Sequence, residues 1–156
     1  MTLDLDALRP FPDSDDPDLR AHDAADRLLL DESATARQGL ERQAIVVIGD
    51  VYGALGLTVA SETDDSPSVV RVHQDPLASE RGLAANARSV GLEPSVVSMP
   101  LDAELVRGAR VVLLRLPRSL EALRDIAGLI AANAAPDVVV FAGGRLKHMS
   151  LGMNDV

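Results

Sequence analysis

The sequence contains no cysteine and very few aromatic residues. The absence of cysteine excludes disulfides, cysteine-ligated zinc and thiol catalysis. With two Phe, one Tyr and no Trp, a hydrophobic core has to be built from Ala, Val, Leu and Ile. No apolar run approaches the length of a membrane span, and the amino terminus is acidic rather than basic and apolar. We therefore expect no membrane partner, no signal peptide and a cytoplasmic location.

Positive charge is scarce as well. The formal net charge is −9 at pH 7, which argues against attraction of nucleic acid to the whole surface. Any contact with RNA would need a local basic patch.

The chain is organised around residues 44–56, where an unbroken apolar run is followed by an acid and three glycines. A β-branched apolar run of this kind is typical of a strand that is buried on both faces of a parallel sheet. Such strands alternate with helical patterns along the whole chain, which predicts an α/β fold with a mostly parallel sheet and helices on both faces. The predicted strands cover residues 44–48, 68–72, 95–99, 111–116 and 138–141.

Composition divides the chain into two parts. Residues 1–20 are rich in Asp and contain three prolines, which predicts an acidic, flexible lead-in. Residues 21–156 predict a single α/β domain that begins with a short helix over 23–31. The segment after Ser150 resembles the opening of a further helix without a terminating signal, so we expect the domain to be truncated before a following one.

Two helix starts are marked by capping residues. Asp75 before Pro76 predicts an N-cap followed by a proline in the first helical position, with the helix ending near Val90 before Gly91. Ser119 is placed to cap the helix in which Leu123 begins an apolar face.

The turn after the first strand resembles a degenerate cofactor loop formed by Asp50, Gly53 and Gly56. A dinucleotide fingerprint needs G-x-G-x-x-G spacing so that the backbone can approach phosphate, and here the G-x-G element is missing. Asp75 lies where an acid that binds ribose would be expected, although capping also explains it. Two interpretations remain open: a working cofactor loop and a structural turn.

A second set of candidate residues is basic and follows the fourth and fifth strands. Because parallel strands end at the same edge of a sheet, these side chains could form one positive patch that suits phosphate. The alternative is that they are ordinary surface charges. The candidates for RNA binding are Arg115, Arg118, Arg145, Lys147 and His148.

Other catalytic signals are missing from the sequence. His22 and His73 have no neighbours that would suggest a metal site or a catalytic pair, and Ser150 lacks the G-x-S-x-G spacing of a nucleophile elbow. We assign no catalytic residue and no metal ligand.

Four segments together resemble the amino-terminal half of bacterial rRNA guanine-N2 methyltransferases: residues 23–30, 49–55, 114–120 and 143–150. The resemblance implies a Rossmann-like, methyltransferase-type domain followed by a second domain of the same type. It implies that the carboxy-terminal domain binds S-adenosylmethionine and carries an Asn-Pro-Pro-Phe motif, which this sequence does not contain. It also implies that the amino-terminal domain has lost catalysis and helps to hold RNA. Arg118 departs from the family, where Lys is commoner after the proline.

The leading hypothesis is therefore a non-catalytic amino-terminal domain of a methyltransferase acting on rRNA. It would bind no cofactor itself, and its partners would be rRNA and the missing carboxy-terminal domain. An exposed interdomain surface could also make the isolated chain dimerise. Two alternatives stay open: a small enzyme that binds S-adenosylmethionine or a dinucleotide at Asp50, Gly53 and Asp75, and a packing module that makes no RNA contact.

Overall fold

The computed structural model describes residues 2–12, 14–63, 66–145 and 150–156. Its centre is a sheet of five parallel strands in the order β3-β2-β1-β4-β5. The strands are β1 (Ile45–Ile48), β2 (Val70–His73), β3 (Val96–Ser98), β4 (Val111–Arg115) and β5 (Val139–Gly143). The helices are α1 (Ala24–Arg37), α2 (Ala54–Ser61), α3 (Leu77–Ser89), α4 (Ala103–Val106) and α5 (Leu120–Asn133). This architecture confirms the predicted α/β fold.

The sheet is covered on both faces, and its central strand β1 is apolar and buried at every position. In β1, Ile45 and Val47 pack into one hydrophobic cluster together with α1, α2 and α3. Val46 and Ile48 point to the opposite face and pack with α4 and α5. The alternation follows from the two-residue period of a strand. No helix in the described ranges is long and apolar enough to cross a membrane.

The helix starts agree with the sequence in one case and differ in the other. The Ser119 side chain accepts a hydrogen bond from the Ala122 N–H and caps α5 as predicted. The prediction that Asp75 caps α3 is wrong, because Pro76 occupies the N-cap position and no side chain in the described part of the chain caps this helix. The Asp75 carboxylate lies instead 3.2 Å from the Nε2 of His73.

The amino-terminal segment is partly packed against the domain. Residues 14–20 are exposed. Leu8, however, is only 3% exposed and belongs to the hydrophobic cluster under α1 to α3. Asn86 of α3 holds this segment by accepting from the Arg9 N–H at 2.9 Å and donating to the Arg9 carbonyl at 2.9 Å.

The first helix is longer than the predicted 23–31. It begins with a capping box, in which the side chains of Asp23 and Asp26 each accept from the other's backbone N–H. It continues to Arg37, whose buried guanidinium donates to the Leu30 carbonyl at 3.1 Å and to Glu62 at 2.8 Å. The end of α1 is thus held in part by Glu62, a residue 25 positions further along the sequence.

Candidate functional site

A cleft of about 690 Å³ opens at the carboxyl edge of β1, β2 and β4. This is the point where the strand order reverses direction, since β2 lies on one side of β1 and β4 on the other. In open α/β sheets, ligands bind at this position. The cleft is lined by residues that follow the three strands and by the first turns of α3 and α5, among them Asp50, Gln74, Asp75, Arg118 and Asp125.

Asp50 closes the floor of the cleft by turning its side chain inward. Its carboxylate is 1% exposed and accepts from the backbone N–H groups of Gly53 at 3.2 Å, Leu55 at 3.4 Å and Gly56 at 2.8 Å. Burial raises the pKa of Asp50 to about 6, although these N–H groups favour the charged form. The N–H groups at the start of α2, which could otherwise bind an anion, are therefore bonded within the chain.

The glycines of this turn are required by close packing. Gly53 has a φ of 96°, and a Cβ there would lie 2.8 Å from Leu57 Cδ1 and 2.9 Å from Leu83 Cδ1. A Cβ on Gly56 would lie 3.0 Å from Val72 Cγ2. The loop is tight because helix α2 packs directly on the sheet and on α3. This packing explains both glycines without a ligand.

Asp75 lies at the end of β2 and faces solvent. Its side chain is 94% exposed, and its Oδ1 lies 3.2 Å from His73 Nε2. The Nδ1 of the same imidazole lies 2.8 Å from the Met99 carbonyl oxygen, which holds the ring in place. With the capping role excluded, this carboxylate is available at the rim of the cleft.

Gln74, which the sequence analysis did not single out, is a buried polar residue that stands between His73 and Asp75 in the sequence. It is 5% exposed, and its Oε1 accepts from the Ser98 hydroxyl at 3.2 Å. Its Nε2 is buried and has no hydrogen-bond partner within the described part of the chain. A single Gln after a strand carries no sequence signal, so only the structure reveals it.

The basic candidates differ in their surroundings. The Arg115 guanidinium donates to Asp23 at 2.8 and 3.0 Å and to Asp26 at 2.6 Å. Arg145 donates through its Nε to the same Asp23 at 3.2 Å and stays 55% exposed. Arg118 is exposed at the cleft and forms no hydrogen bond or ion pair with any described residue.

The ion pairs at this edge shift the pKa values of Asp23 and Arg115. Burial acts to raise the pKa of Asp23, but the hydrogen bonds from Arg115, the Asp26 backbone and Arg145 outweigh it and hold the pKa well below its usual range. Burial likewise acts to lower the pKa of Arg115, and its bonds to Asp23 and Asp26 more than reverse this. The strand end and the start of α1 are thus joined by charged pairs.

Two further candidates, Lys147 and His148, lie outside the described residues. Within the ranges that the structure describes, no group of three or more His, Asp or Glu side chains is arranged to hold a metal ion.

Comparison with solved structures identifies the class of fold to which the chain belongs. The chain superposes on TrmN from Thermus thermophilus with a TM-score of 0.60 and 16% identity, covering 76% of this chain and 37% of that one. It superposes on a putative S-adenosylmethionine-dependent methyltransferase from Methanococcus maripaludis with a TM-score of 0.57 and 15% identity, covering 74% and 54%. The fold is therefore that of the Rossmann-like methyltransferases.

The family follows from sequence comparison. Residues 3–156 match the family model of the RLMG N-terminal domain, and the chain belongs to this family. It is 31% identical over 145 residues to the ribosomal RNA large subunit methyltransferase G of Shewanella amazonensis, covering 92% of this chain and 37% of that protein. It is 31% identical over 153 residues to the enzyme of the same name from Pseudomonas entomophila, covering 98% and 39%. The chain thus spans less than two fifths of the length of these relatives.

Proposed function

We propose that this chain is the non-catalytic amino-terminal domain of an rRNA guanine-N2 methyltransferase, and that it positions RNA for a domain elsewhere in the protein. Family membership and the names of the relatives support the link to rRNA methylation. S-adenosylmethionine would bind in the carboxy-terminal part, with which this domain would pack. As a protein that acts on rRNA, it would work in the cytoplasm.

The observation that carries the non-catalytic assignment is the position of Asp50. Its carboxylate accepts the N–H groups of Gly53, Leu55 and Gly56, so the start of α2 is satisfied internally. A ligand that used this turn would have to displace a buried side chain and leave it without partners. A net cost of that kind disfavours cofactor binding at the turn.

Contact with RNA is supported by the exposed arginines at the carboxyl edge of β4 and β5. Arg118 is exposed there without a partner among the described residues, and Arg145 is more than half exposed. Arg115 is committed to Asp23 and Asp26, and we assign it the role of holding the edge together. Lys147 and His148 remain candidates for the same contact. On a chain of net charge −9, the RNA contact would be confined to this edge.

The test is RNA binding by an Arg118→Ala variant, measured by fluorescence anisotropy with a fragment of large-subunit rRNA at several salt concentrations. Losing one phosphate contact should weaken binding and reduce the slope of log K against log salt by about 1. The matched control is Arg110→Ala, since Arg110 is an exposed arginine at the opposite end of β4 and, among the described residues, its side chain pairs only with Asp137. An unchanged affinity and slope for Arg118→Ala would reject the RNA role of this edge.

One observation favours a second candidate function: Asp75 does not cap α3 as predicted, so its carboxylate is available to a ligand. The chain would then itself bind S-adenosylmethionine or a nucleotide at Asp50, Gly53 and Asp75. Titration calorimetry with S-adenosylmethionine and S-adenosylhomocysteine tests it. Saturable binding that is lost in Asp50→Ala would place this function first.

The third alternative is a packing module, and it rests on the exposed edge strand. Val139 and Val140 of β5 are 46% and 40% exposed, and Leu151 is 88% exposed. We propose that this side contacts the rest of the protein, and that an isolated chain could dimerise through it. Sedimentation velocity of the chain and of a Val140→Lys variant distinguishes a monomer from a dimer through β5, because only such a dimer would dissociate on this substitution.

A further inference from the structure

We propose that a groove between the segment before α1 and the start of this helix holds a phosphate of an RNA strand, through Arg20, Arg27 and Arg145. The inference deepens the proposed function and rests on it for the identity of the ligand as RNA. It adds Arg20 and Arg27, which precede the sheet in the sequence, to the contact expected after β4 and β5. We call this groove the α1 groove.

The first argument is the position of the α1 groove. It has a volume of about 460 Å³ and is lined by Asp6, Arg20, His22, Asp23, Ala24 and Arg27. Asp23 accepts hydrogen bonds from Arg115 at the end of β4 and from Arg145 after β5. The groove therefore lies at the same edge of the sheet as Arg118, the arginine proposed above to contact RNA.

The second argument is the number of guanidinium donors that no described residue uses. Arg20 and Arg27 are exposed, and neither side chain forms a hydrogen bond or an ion pair with any described residue. Arg145 is 55% exposed, and in the described part of the chain it donates only through its Nε. A guanidinium presents a planar set of five N–H donors that matches the oxygens of a phosphate. Three such groups beside one groove can bind a phosphate together.

The third argument is that the backbone carrying these arginines is already ordered. Arg20 is followed by Ala21, which is 5% exposed, and by His22, whose side chain is 7% exposed. Arg27 lies on α1, which begins with a capping box. The groove therefore does not have to order a loop when it binds, which lowers the entropic cost of the contact.

One acid of the groove opposes an anion there. The Asp6 side chain is 69% exposed and pairs with no described arginine, and its Oδ1 lies 3.1 Å from the Nε2 of His22. The hydrogen bond with His22 lowers the pKa of Asp6, and the charges of Arg27 and Arg20 lower it further. The charge of Asp6 would repel the phosphate that these arginines attract. Its removal should therefore have the opposite effect to removal of an arginine.

The experiment is fluorescence anisotropy of a labelled single-stranded RNA with the chain at several salt concentrations. Arg27→Ala should weaken binding by about two- to fivefold and reduce the slope of log K against log salt by about 0.7–1, as expected for one lost phosphate contact. Arg20→Ala should act in the same direction but less, because Arg20 also lines a neighbouring pocket with Asp16. Arg27→Lys should keep the slope, since an ammonium group binds phosphate as a point charge.

The matched control is Arg88→Ala. Arg88 is an exposed arginine in the last turn of α3, at the opposite edge of the sheet, and its substitution should leave affinity and slope unchanged. All these variants change exposed side chains, so their unfolding temperatures should match that of the unsubstituted chain.

Asp6→Asn provides the test of opposite sign. The amide keeps an oxygen that can accept from His22 but carries no charge, so RNA should bind more tightly, by about two- to fivefold. Its control is Glu41→Gln, which changes an exposed acid before β1, at the opposite edge, and should leave the affinity unchanged. If Asp6 only held the segment in place, its substitution would not tighten binding.

Unchanged affinity and slope for Arg27→Ala, or an Asp6→Asn variant that binds RNA no more tightly, would each overturn the proposal. RNA binding that depends on Arg118 but not on Arg27 leaves the proposed function intact and refutes the groove. Binding that depends on Arg27 but not on Arg118 supports the groove and refutes the contact at the end of β4. Absence of RNA binding by the unsubstituted chain refutes both.

Discussion

Replacement of Arg115 by Met should strongly destabilise the domain. The arginine side chain is 14% exposed and donates three hydrogen bonds to Asp23 and Asp26, and the Asp26 side chain is only 5% exposed. Without the guanidinium, the Asp26 side chain would keep only the Asp23 backbone N–H as a partner among the described residues, and burial, which already raises the pKa of Asp26, would oppose its charged form still more. Breaking a buried ion pair from one side costs about 3–5 kcal/mol.

The partial exposure of Asp23, 23%, places the expected loss near the lower end of that range, about 3 kcal/mol. For a domain of this size, such a loss should lower the unfolding temperature by about 6–12 °C. The assay is urea unfolding followed by far-ultraviolet circular dichroism at pH 7, where both acids of the pair are ionised in the unfolded chain. The contribution of Asp23 should disappear at acid pH, because its pKa is lowered in the folded state.

The matched control is Arg145→Met, since Arg145 donates to the same Asp23 but is 55% exposed. An exposed pair contributes about 0–1 kcal/mol. Adding Asp26→Asn to Arg115→Met should recover part of the loss, because a neutral amide at this position no longer needs a counter-ion. The reasoning is refuted if Arg115→Met costs no more than Arg145→Met.

Three further predictions concern stability. Burial raises the pKa of Asp50 to about 6, so between about pH 4 and 6 the folded chain keeps a proton that the unfolded chain has released. As the pH rises through this range, the free energy of unfolding should fall by about 1.4 kcal/mol per pH unit. Asp50→Asn should remove this slope from the urea midpoints, and an unchanged slope would contradict the prediction. Gly53→Ala should destabilise the domain, because Gly53 has a φ of 96° and an added Cβ would clash with Leu57. The control Gly128→Ala, in an open helical position, should stabilise it by about 0.5–1 kcal/mol. Thermal unfolding compares the two variants, and equal shifts in unfolding temperature would count against the packing argument. Leu8→Ala should cost about 2–5 kcal/mol in urea unfolding, against nearly nothing for the exposed Leu151→Ala, unless the lead-in is not part of the fold.

Several features of the molecule could be predicted from the sequence alone. The apolar β-branched runs locate all five strands to within two residues, and the alternation with helices determines the parallel sheet. Ser119 caps α5, and Gly91 adopts the positive φ of 75° expected after α3. These features are local: a strand, a cap or a left-handed residue is specified by neighbours in the chain.

The tertiary structure decided what those local rules leave open. Arg115 and its partner Asp23 are 92 residues apart, so no periodicity connects the basic residue at the strand end with the acid that binds it. Leu8 is buried although its neighbours in the sequence are acidic, because Asn86 of α3 holds the segment that contains it through a hydrogen bond from the Arg9 N–H.

The same division applies to the candidate site. The glycine turn and the acid after the second strand are visible in the sequence, but whether Asp50 points into the turn or toward a ligand depends on the packing of α2. The capping role expected for Asp75 failed because α3 begins at Leu77, one residue later than predicted, so that Pro76 with its extended backbone occupies the N-cap position. Gln74 has no sequence signal at all, since the lack of a hydrogen-bond partner is a property of the folded surroundings and not of the residue.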